Sequence, residues 1–256
     1  MSLKALPSVI TPALLNSIRM QPSLPPHSWY LISATVLTIL NRPDEIATVY
    51  KHVMEFGPSN IDSMPGYDER LKITRRMREA LLKTSAIGGV PKAINAILVL
   101  KEVTPIELQD APNSFSPTSR RTDIYNTPTT EILERGQSFF NKIYGKISKR
   151  VISQLDQSGT EDLGLIARLM YSYVLSPSNV LIPVETSYIM IAGLIPQDVN
   201  PQLKGHLRGA LNGGATEEEV RAVRDISIRM CESLGMAKLG SSIPAGWGWR
   251  EEVANV

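Results

Sequence analysis

Cysteine and histidine are both scarce in this sequence. Cys231 is the only cysteine among 256 residues, so no disulfide can form within the chain, and this composition is typical of a reducing compartment. The three histidines, His27, His52 and His206, have no mutual spacing that suits a zinc site, and we expect no bound metal.

Long apolar runs and an excess of one charge are also missing. The longest apolar segment, residues 29–40, is far shorter than the roughly 20 residues that cross a bilayer, so we expect no membrane partner. Lys and Arg number 27 against 25 Asp and Glu, a formal net charge of +2. Such a balance gives no reason to expect a nucleic-acid partner.

Strand-like alternation of apolar and polar residues is absent too, whereas helical periodicity recurs along the chain, and we therefore predict an all-α fold. The periodicity disappears only at residues 104–130, which are rich in Pro, Ser, Thr and Asn and longer than most connections in compact domains. We predict an N-terminal helical half at 1–103, a linker at 104–130 and a C-terminal half at 131–256.

The clearest helix-start and helix-end signals of the sequence lie between residues 200 and 220, where they predict two adjoining helices. Asn200 is a suitable N-cap followed by Pro201, and Gly213 or Gly214 can take the left-handed conformation that ends the first helix. A second helix then begins at Thr216, where Glu219 completes a capping box (Thr-Glu-Glu-Glu).

His206 lies on the apolar face of the first of these helices, with Leu203, Leu207, Ala210 and Leu211. An imidazole there has two interpretations. It is either a hydrogen-bonded core histidine or a proton-transfer residue that faces a cavity between helices, because a bare buried polar group costs roughly 1–3 kcal/mol.

The run Pro201-Gln-Leu-Lys-Gly-His-Leu-Arg-Gly-Ala-Leu-Asn-Gly-Gly-Ala-Thr-Glu-Glu-Glu-Val220 resembles the signature of the carboxymuconolactone decarboxylase family, which is related to the alkylhydroperoxidase D proteins. The match is long and ungapped, and it is more specific for the family than for a reaction. It implies an alkylhydroperoxidase D-like helical fold, an oligomer, and His206 at the position of the family's active-site histidine.

The peroxidase branch of that family uses two cysteines separated by two residues, and here Val199 and Gln202 stand at those positions. Thiol–disulfide cycling requires a thiolate and a resolving thiol, so this chain cannot run it alone. We expect Cys231 to pack as a small apolar residue. Hydroperoxide reduction is therefore the least favoured activity.

The decarboxylase branch needs no cofactor, and the resemblance implies acid–base chemistry on a small carboxylated molecule. His206 is then the acid–base group, because its ordinary pKa is near neutrality. The family's acid is expected near Ser187-Tyr188, and this chain offers Glu185 one turn earlier. Glu185 can equally be a first-turn residue that the helix dipole favours.

We predict Tyr188, Gln202 and Arg208 as substrate-binding residues beside this catalytic pair. Arg208 stands two positions from His206 and points away from it on a helix, so a surface or interface cation is its plainer interpretation.

Short segments of the first half recur in the second. The matched pairs are residues 30–34 with 188–192, residues 76–81 with 206–211, and residues 92–94 with 221–223. These matches reflect either chance or a degenerate internal duplication. In a duplication, Arg76 stands at the position that corresponds to His206. Because small family members form rings, the resemblance implies a homo-oligomer, a trimer or a dimer.

We therefore favour a cofactor-independent lyase or isomerase that uses His206, with a catalytically silent oligomeric binding or scaffold protein as the alternative. We expect an intracellular location, cytoplasmic or mitochondrial. Asp44 is the first acidic residue, as in a mitochondrial presequence, although residues 11–20 read better as an amphipathic helix of the mature fold. The terminal Ala-Asn-Val differs from a peroxisomal Ser-Lys-Leu signal.

Overall fold

A computed structural model of the chain describes residues 7–59, 63–111, 114–240 and 246–256, and within them the predicted all-α fold is confirmed. The helices of the first half are α1 (Pro12–Arg19), α2 (Trp29–Ile39), α3 (Ile46–Phe56), α4 (Tyr67–Gly88) and α5 (Val90–Val103). The later helices are α6 (Arg120–Tyr125), α7 (Thr129–Tyr144), α8 (Ser148–Asp156), α9 (Asp162–Leu169), α10 (Pro183–Leu194), α11 (Asn200–Asn212) and α12 (Glu217–Ser233).

Shorter elements connect these helices. Four 3₁₀ turns lie at Pro43–Glu45, Ile106–Leu108, Gly145–Ile147 and Ile195–Gln197, and a π-helical turn, Met170–Leu175, continues α9. The described strands, β1 (Ala237–Lys238) and β2 (Gly248–Trp249), form one short parallel pair that holds the C-terminal tail. None of the described helices is long and apolar enough to cross a membrane.

Helices α2 and α10 form the centre of the molecule. All 11 residues of α2 are buried, and so is α10 from Thr186 to Leu194. A helix that is apolar on all sides must be covered on all sides, and α4, α11 and α12 surround this central pair. The main core takes its residues from between Ile10 and Leu108 and from between Leu181 and Ala254, and so includes residues of both predicted halves. The division into two halves stays a prediction.

The described residues of the 104–130 segment are bound to the neighbouring helices. Arg120 donates to both carboxylate oxygens of Glu79, at 2.6 and 2.7 Å, and to the carbonyl oxygens of Tyr173 and Val174. Because Glu79 is buried, its charge requires nearby cations, and Arg120 of this segment supplies one beside Lys83, whose Nζ lies 3.8 Å from Glu79 Oε1.

Lys83 of α4 is fully buried beside the π-helical turn. Its Nζ donates to the carbonyl oxygens of Leu175 (2.6 Å) and Pro177 (2.8 Å) and to Thr186 Oγ1 (2.9 Å). These three bonds use all the donors of an ammonium group. Burial lowers the pKa of Lys83 to about 7, and its position explains how α4, α10 and the end of the π-helical turn are held together.

The helix boundaries confirm most of the capping predictions. Thr11 Oγ1 accepts from the Leu14 backbone N–H and begins α1, so the predicted helix at residues 11–20 is present. Thr216 and Glu219 form the capping box of α12, and Gly214 has a positive φ of 103°.

The prediction that Asn200 is the N-cap of α11 is wrong. Asn200 is the first residue of the helix, after Val199 in the cap position. Its side chain binds the C-terminal tail instead, since Nδ2 donates to the Glu252 carbonyl oxygen and Oδ1 accepts from the Ala254 N–H. The tail thus uses the groups that a cap would have needed.

Candidate functional site

His206 is buried on the inner face of α11, with only 5% of its surface exposed. Leu203, Leu207 and Ala210 are buried on the same face, as the sequence predicts, and Leu211 is half-buried. The helix is set close to α7 by its glycines. A Cβ at Gly209 would lie 2.4 Å from Ile143 Cγ2, so only a glycine permits this approach.

The imidazole has one polar neighbour among the described residues. Its Nε2 lies 3.4 Å from the hydroxyl of Tyr144 on α7, with the two rings edge to face at 5.9 Å. Its Nδ1 is buried without a hydrogen-bond partner within the described part of the chain. Burial lowers the pKa of His206 to about 4, so the ring is neutral at pH 7.

A second phenol extends this contact toward the surface. Tyr171, in the π-helical turn, donates its hydroxyl hydrogen to Tyr144 at 3.4 Å. Burial raises the pKa of both phenols, so both keep their protons at neutral pH. Tyr171, Tyr144 and His206 therefore form a row of long hydrogen bonds, which we call the Tyr–Tyr–His row.

The outer end of the row coincides with the wall of an open cleft. This cleft between α7, α8 and α9, with a volume of about 270 Å³, is lined in part by Tyr171. The other side chains that line it are Leu133, Glu134, Gln137, Phe140, Ile152 and Arg168. We call it the α7–α9 cleft. His206 itself is not among its lining residues.

Gly136 explains how the cleft and the row come together. It lies on the cleft wall, and a Cβ there would come within 2.1 Å of Ser172 Oγ and 2.6 Å of Ser172 Cα. Only glycine lets α7 lie this close to the π-helical turn. Such turns recur at functional sites, and this one places Tyr171 between the cleft and Tyr144.

Glu185 lies in a different environment from the one predicted for a catalytic partner of His206. Both of its carboxylate oxygens accept from the guanidinium of Arg76, and Oε2 also accepts from the backbone N–H of Ile182 at 3.0 Å. Among the described residues no hydrogen bond joins Glu185 to His206. The first-turn interpretation of Glu185 fits these contacts, with Arg76 as its counter-ion.

The predicted substrate-binding residues do not converge on His206 either. Tyr188 donates its hydroxyl hydrogen to Glu219 Oε2 at 3.0 Å, and burial raises the pKa of this phenol. Gln202 and Arg208 are exposed, and among the described residues neither forms a hydrogen bond with His206. Arg208 thus has the position of the surface cation that its spacing indicated.

Tyr144 and the cleft residues were missing from the sequence-based site. One signal was available, because Gly136, Phe140 and Tyr144 are spaced four residues apart and share a face of α7. The pattern marks a face that packs closely. It does not say that the face meets His206, which is 62 residues from Tyr144.

Two curated relatives cover most of the chain. A protein of Schizosaccharomyces pombe named Peroxisomal protein 2 is 39% identical over 216 residues, which cover 83% of this chain and 90% of the relative. A protein of Saccharomyces cerevisiae with the same name is 31% identical over 253 residues, covering 82% of this chain and 89% of the relative. No family model and no solved structure matches the chain, so the likeness to carboxymuconolactone decarboxylases stays a prediction.

Proposed function

This chain belongs to the family of the proteins named Peroxisomal protein 2, and we propose that it is a peroxisomal, cofactor-independent lyase or isomerase that moves a proton of a small molecule through His206. The observation that supports this activity is the Tyr–Tyr–His row, which leads from the α7–α9 cleft to the buried imidazole.

The direction of the hydrogen bonds fits a base at the inner end. Tyr171 donates to Tyr144, which leaves the Tyr144 hydrogen free to be donated to Nε2 of a neutral His206. A proton that enters at Tyr171 can therefore reach His206 if each hydroxyl passes on its own hydrogen. Tyr144 and Tyr171 remain neutral before and after the transfer.

The lowered pKa of His206 makes the neutral ring a weak base, whose protonated form gives up its proton readily. An imidazolium with a pKa of about 4 is an acid strong enough to return the proton. Removal of a proton followed by its return at another atom is an isomerisation, and its return after a bond breaks completes a lyase reaction. This order of events requires no metal or organic cofactor.

The acid–base proposal is tested with His206→Gln and Tyr144→Phe. The wild-type protein and both variants are incubated in D₂O with a small-molecule extract of yeast peroxisomes, and the extracts are compared by mass spectrometry. We expect at least one compound to disappear or to gain deuterium with the wild type and to stay unchanged with both variants. Identical profiles for all three proteins would contradict an activity of His206.

The burial of His206 favours a second candidate, a catalytically silent oligomeric binding or scaffold protein. Four large apolar residues of α9, Leu163, Leu165, Ile166 and Leu169, are about half exposed and form an uncovered face. We propose a second copy of the chain as its partner, in agreement with the oligomer that the family resemblance implies. Light scattering tests the oligomer, and a mass of one chain, 28.2 kDa, at all concentrations would exclude it.

The peroxisomal location rests on the two relatives and replaces the cytoplasmic or mitochondrial prediction, which is not confirmed. It is tested by expressing the chain with an N-terminal fluorescent tag in yeast that carries a red peroxisomal marker. Punctate overlap with the marker is expected, and a diffuse or mitochondrial pattern would contradict it.

A hydroperoxide reductase is the least supported activity. Cys231 is fully buried in the core, and burial raises the pKa of its thiol, so the thiolate that attacks peroxides is suppressed. Turnover of hydroperoxide that persists in Cys231→Ser would require chemistry other than a thiol at this position.

A further inference from the structure

The walls of the α7–α9 cleft suit a flat apolar molecule. Phe140 and Tyr171 meet edge to face, with ring centroids 4.9 Å apart, and Leu133 and Ile152 add aliphatic surface. Aromatic rings arranged in this way offer a face or an edge to another ring. A volume of about 270 Å³ is at the small end of ligand pockets and fits a molecule of one or two rings.

Arg168, the one cation among the lining residues, is already committed to a partner. Its guanidinium donates to both oxygens of Asp156, at 2.6 and 2.8 Å. The pair lies directly against the start of α9, because a Cβ at Gly164 would come within 1.8 Å of Asp156 Oδ1. The pair uses two of the five N–H donors of the guanidinium and balances its charge, so Arg168 offers a ligand carboxylate little net positive charge.

The remaining polar groups of the lining offer mainly acceptors. Glu134 is exposed at the cleft and carries a negative charge. Arg168 does not balance that charge, because it is paired with Asp156. Gln137 donates one of its two Nε2 hydrogens to Asn141 Oδ1 at 2.9 Å, and its carbonyl oxygen can accept from a ligand. The lining therefore disfavours a ligand anion and can accept hydrogen bonds from a ligand hydroxyl or amine.

We propose that the α7–α9 cleft binds an uncharged, flat aromatic molecule that carries a hydroxyl or an aromatic amino group, in preference to a carboxylate. This rests on the proposed function only where the bound molecule is taken to be the substrate. It differs from the carboxylated substrate that the family resemblance implies.

The test compares 2-naphthol with 2-naphthoate, which share a ring system and differ in charge at pH 7. Binding to the full-length protein is measured by isothermal titration calorimetry. We expect 2-naphthol to bind roughly tenfold more tightly than 2-naphthoate, because a single unpaired carboxylate a few ångströms from a ligand anion has an effect of this order. Glu134→Gln removes that charge from an exposed position and should narrow the ratio to about threefold or less.

Two tryptophan variants locate the binding. Leu133→Trp fills the cleft and should weaken 2-naphthol binding at least about tenfold, because it displaces the ligand from the apolar wall. Leu98→Trp on α5, an exposed position outside the lining residues, serves as the matched control, with unchanged affinity expected. His206→Gln should also bind 2-naphthol normally, since His206 is not in the lining.

Three results would overturn the proposal: 2-naphthoate binding as tightly as 2-naphthol, a naphthol affinity that survives Leu133→Trp, or a charge preference that Glu134→Gln leaves unchanged. None of these decides whether His206 transfers protons. Conversely, the expected binding with no metabolite changed in the D₂O experiment would remove the enzymatic function and leave the ligand class standing.

Discussion

Stability in weak acid provides a direct test of the buried His206. Burial lowers its folded-state pKa to about 4, against an ordinary value of 6.5. The unfolded chain therefore binds more protons than the folded chain between pH 6.5 and pH 4. The free energy of unfolding should be fully retained above pH 6.5 and fall as the pH drops through this window.

The size of the effect follows from the gap of about 2.5 between the two pKa values. At about 1.4 kcal/mol for each pKa unit, complete protonation of His206 would lower the free energy of unfolding by about 3 kcal/mol. Most of this loss, roughly 2–3 kcal/mol, should occur between pH 7 and pH 4.5.

This loss of stability is measured by urea unfolding of the wild type and of His206→Gln at pH 7 and pH 4.5. Glutamine keeps a polar side chain of similar reach and does not titrate. The wild type should lose about 2–3 kcal/mol more than the variant on acidification, while contributions from other groups cancel in the comparison. A proton NMR titration should show one imidazole with a midpoint near pH 4, and that signal should be missing in His206→Gln.

Parallel losses in the two proteins, or a His206 midpoint near 6.5, would refute the reasoning. Either outcome would mean that water or a charge reaches the ring. The imidazole would then be partly protonated near neutral pH, and the sealed, apolar environment assigned to its ring would have to be abandoned.

Three further predictions concern the structure around the site. Gly136→Ala should lower the free energy of unfolding by about 1–3 kcal/mol in urea, because its Cβ meets Ser172 Cα at 2.6 Å, whereas Gly205→Ala, with Tyr144 Cε1 at 3.4 Å, should be neutral or slightly stabilising. Glu185→Gln should lower the free energy of unfolding, measured by heat or urea, by about 3 kcal/mol, because it leaves Arg76 buried without its counter-ion. The double variant Arg76→Met/Glu185→Gln should recover part of this loss, and no recovery would contradict the ion-pair role. The folded pKa of Lys83, about 7, lies below the ordinary 10.5, so the unfolded chain binds more protons than the folded chain between these values. The stability of the wild type relative to Lys83→Met should therefore rise from pH 7 to pH 9.5. A stability difference that does not change with pH would contradict the lowered pKa.

Local features of the fold could be predicted from the sequence because neighbours along the chain determine them. The capping box of Thr216 and Glu219 involves two residues three apart, and the buried face of α11 follows from spacing alone. The same holds for α1, where Thr11 and Pro12 mark the start. These contacts form within single helices, so periodicity and turn chemistry are sufficient.

The composition of the site could not be predicted, because contacts between distant segments decide it. Glu185 looked like a partner of His206, yet Arg76, 109 residues away, neutralises it. Tyr144 reaches His206 because small residues let α7 and α11 approach, and the π-helical turn brings Tyr171 to Tyr144. Helical spacing specifies which face of a helix is buried, but not the polar group that meets it there.

The core shared by the two predicted halves has a consequence for how the chain folds and how it responds to proteolysis. Since α2 and α10 cover each other at the centre, neither predicted half can hide its own central helix when the other is removed. Cooperative folding would then involve the entire polypeptide at once, and a protease cut within the segment that joins the halves would yield two fragments that stay bound. If an ancestral gene was doubled, the copies have since become mutually dependent, and truncation at residue 103 would yield an aggregating product rather than a smaller working protein.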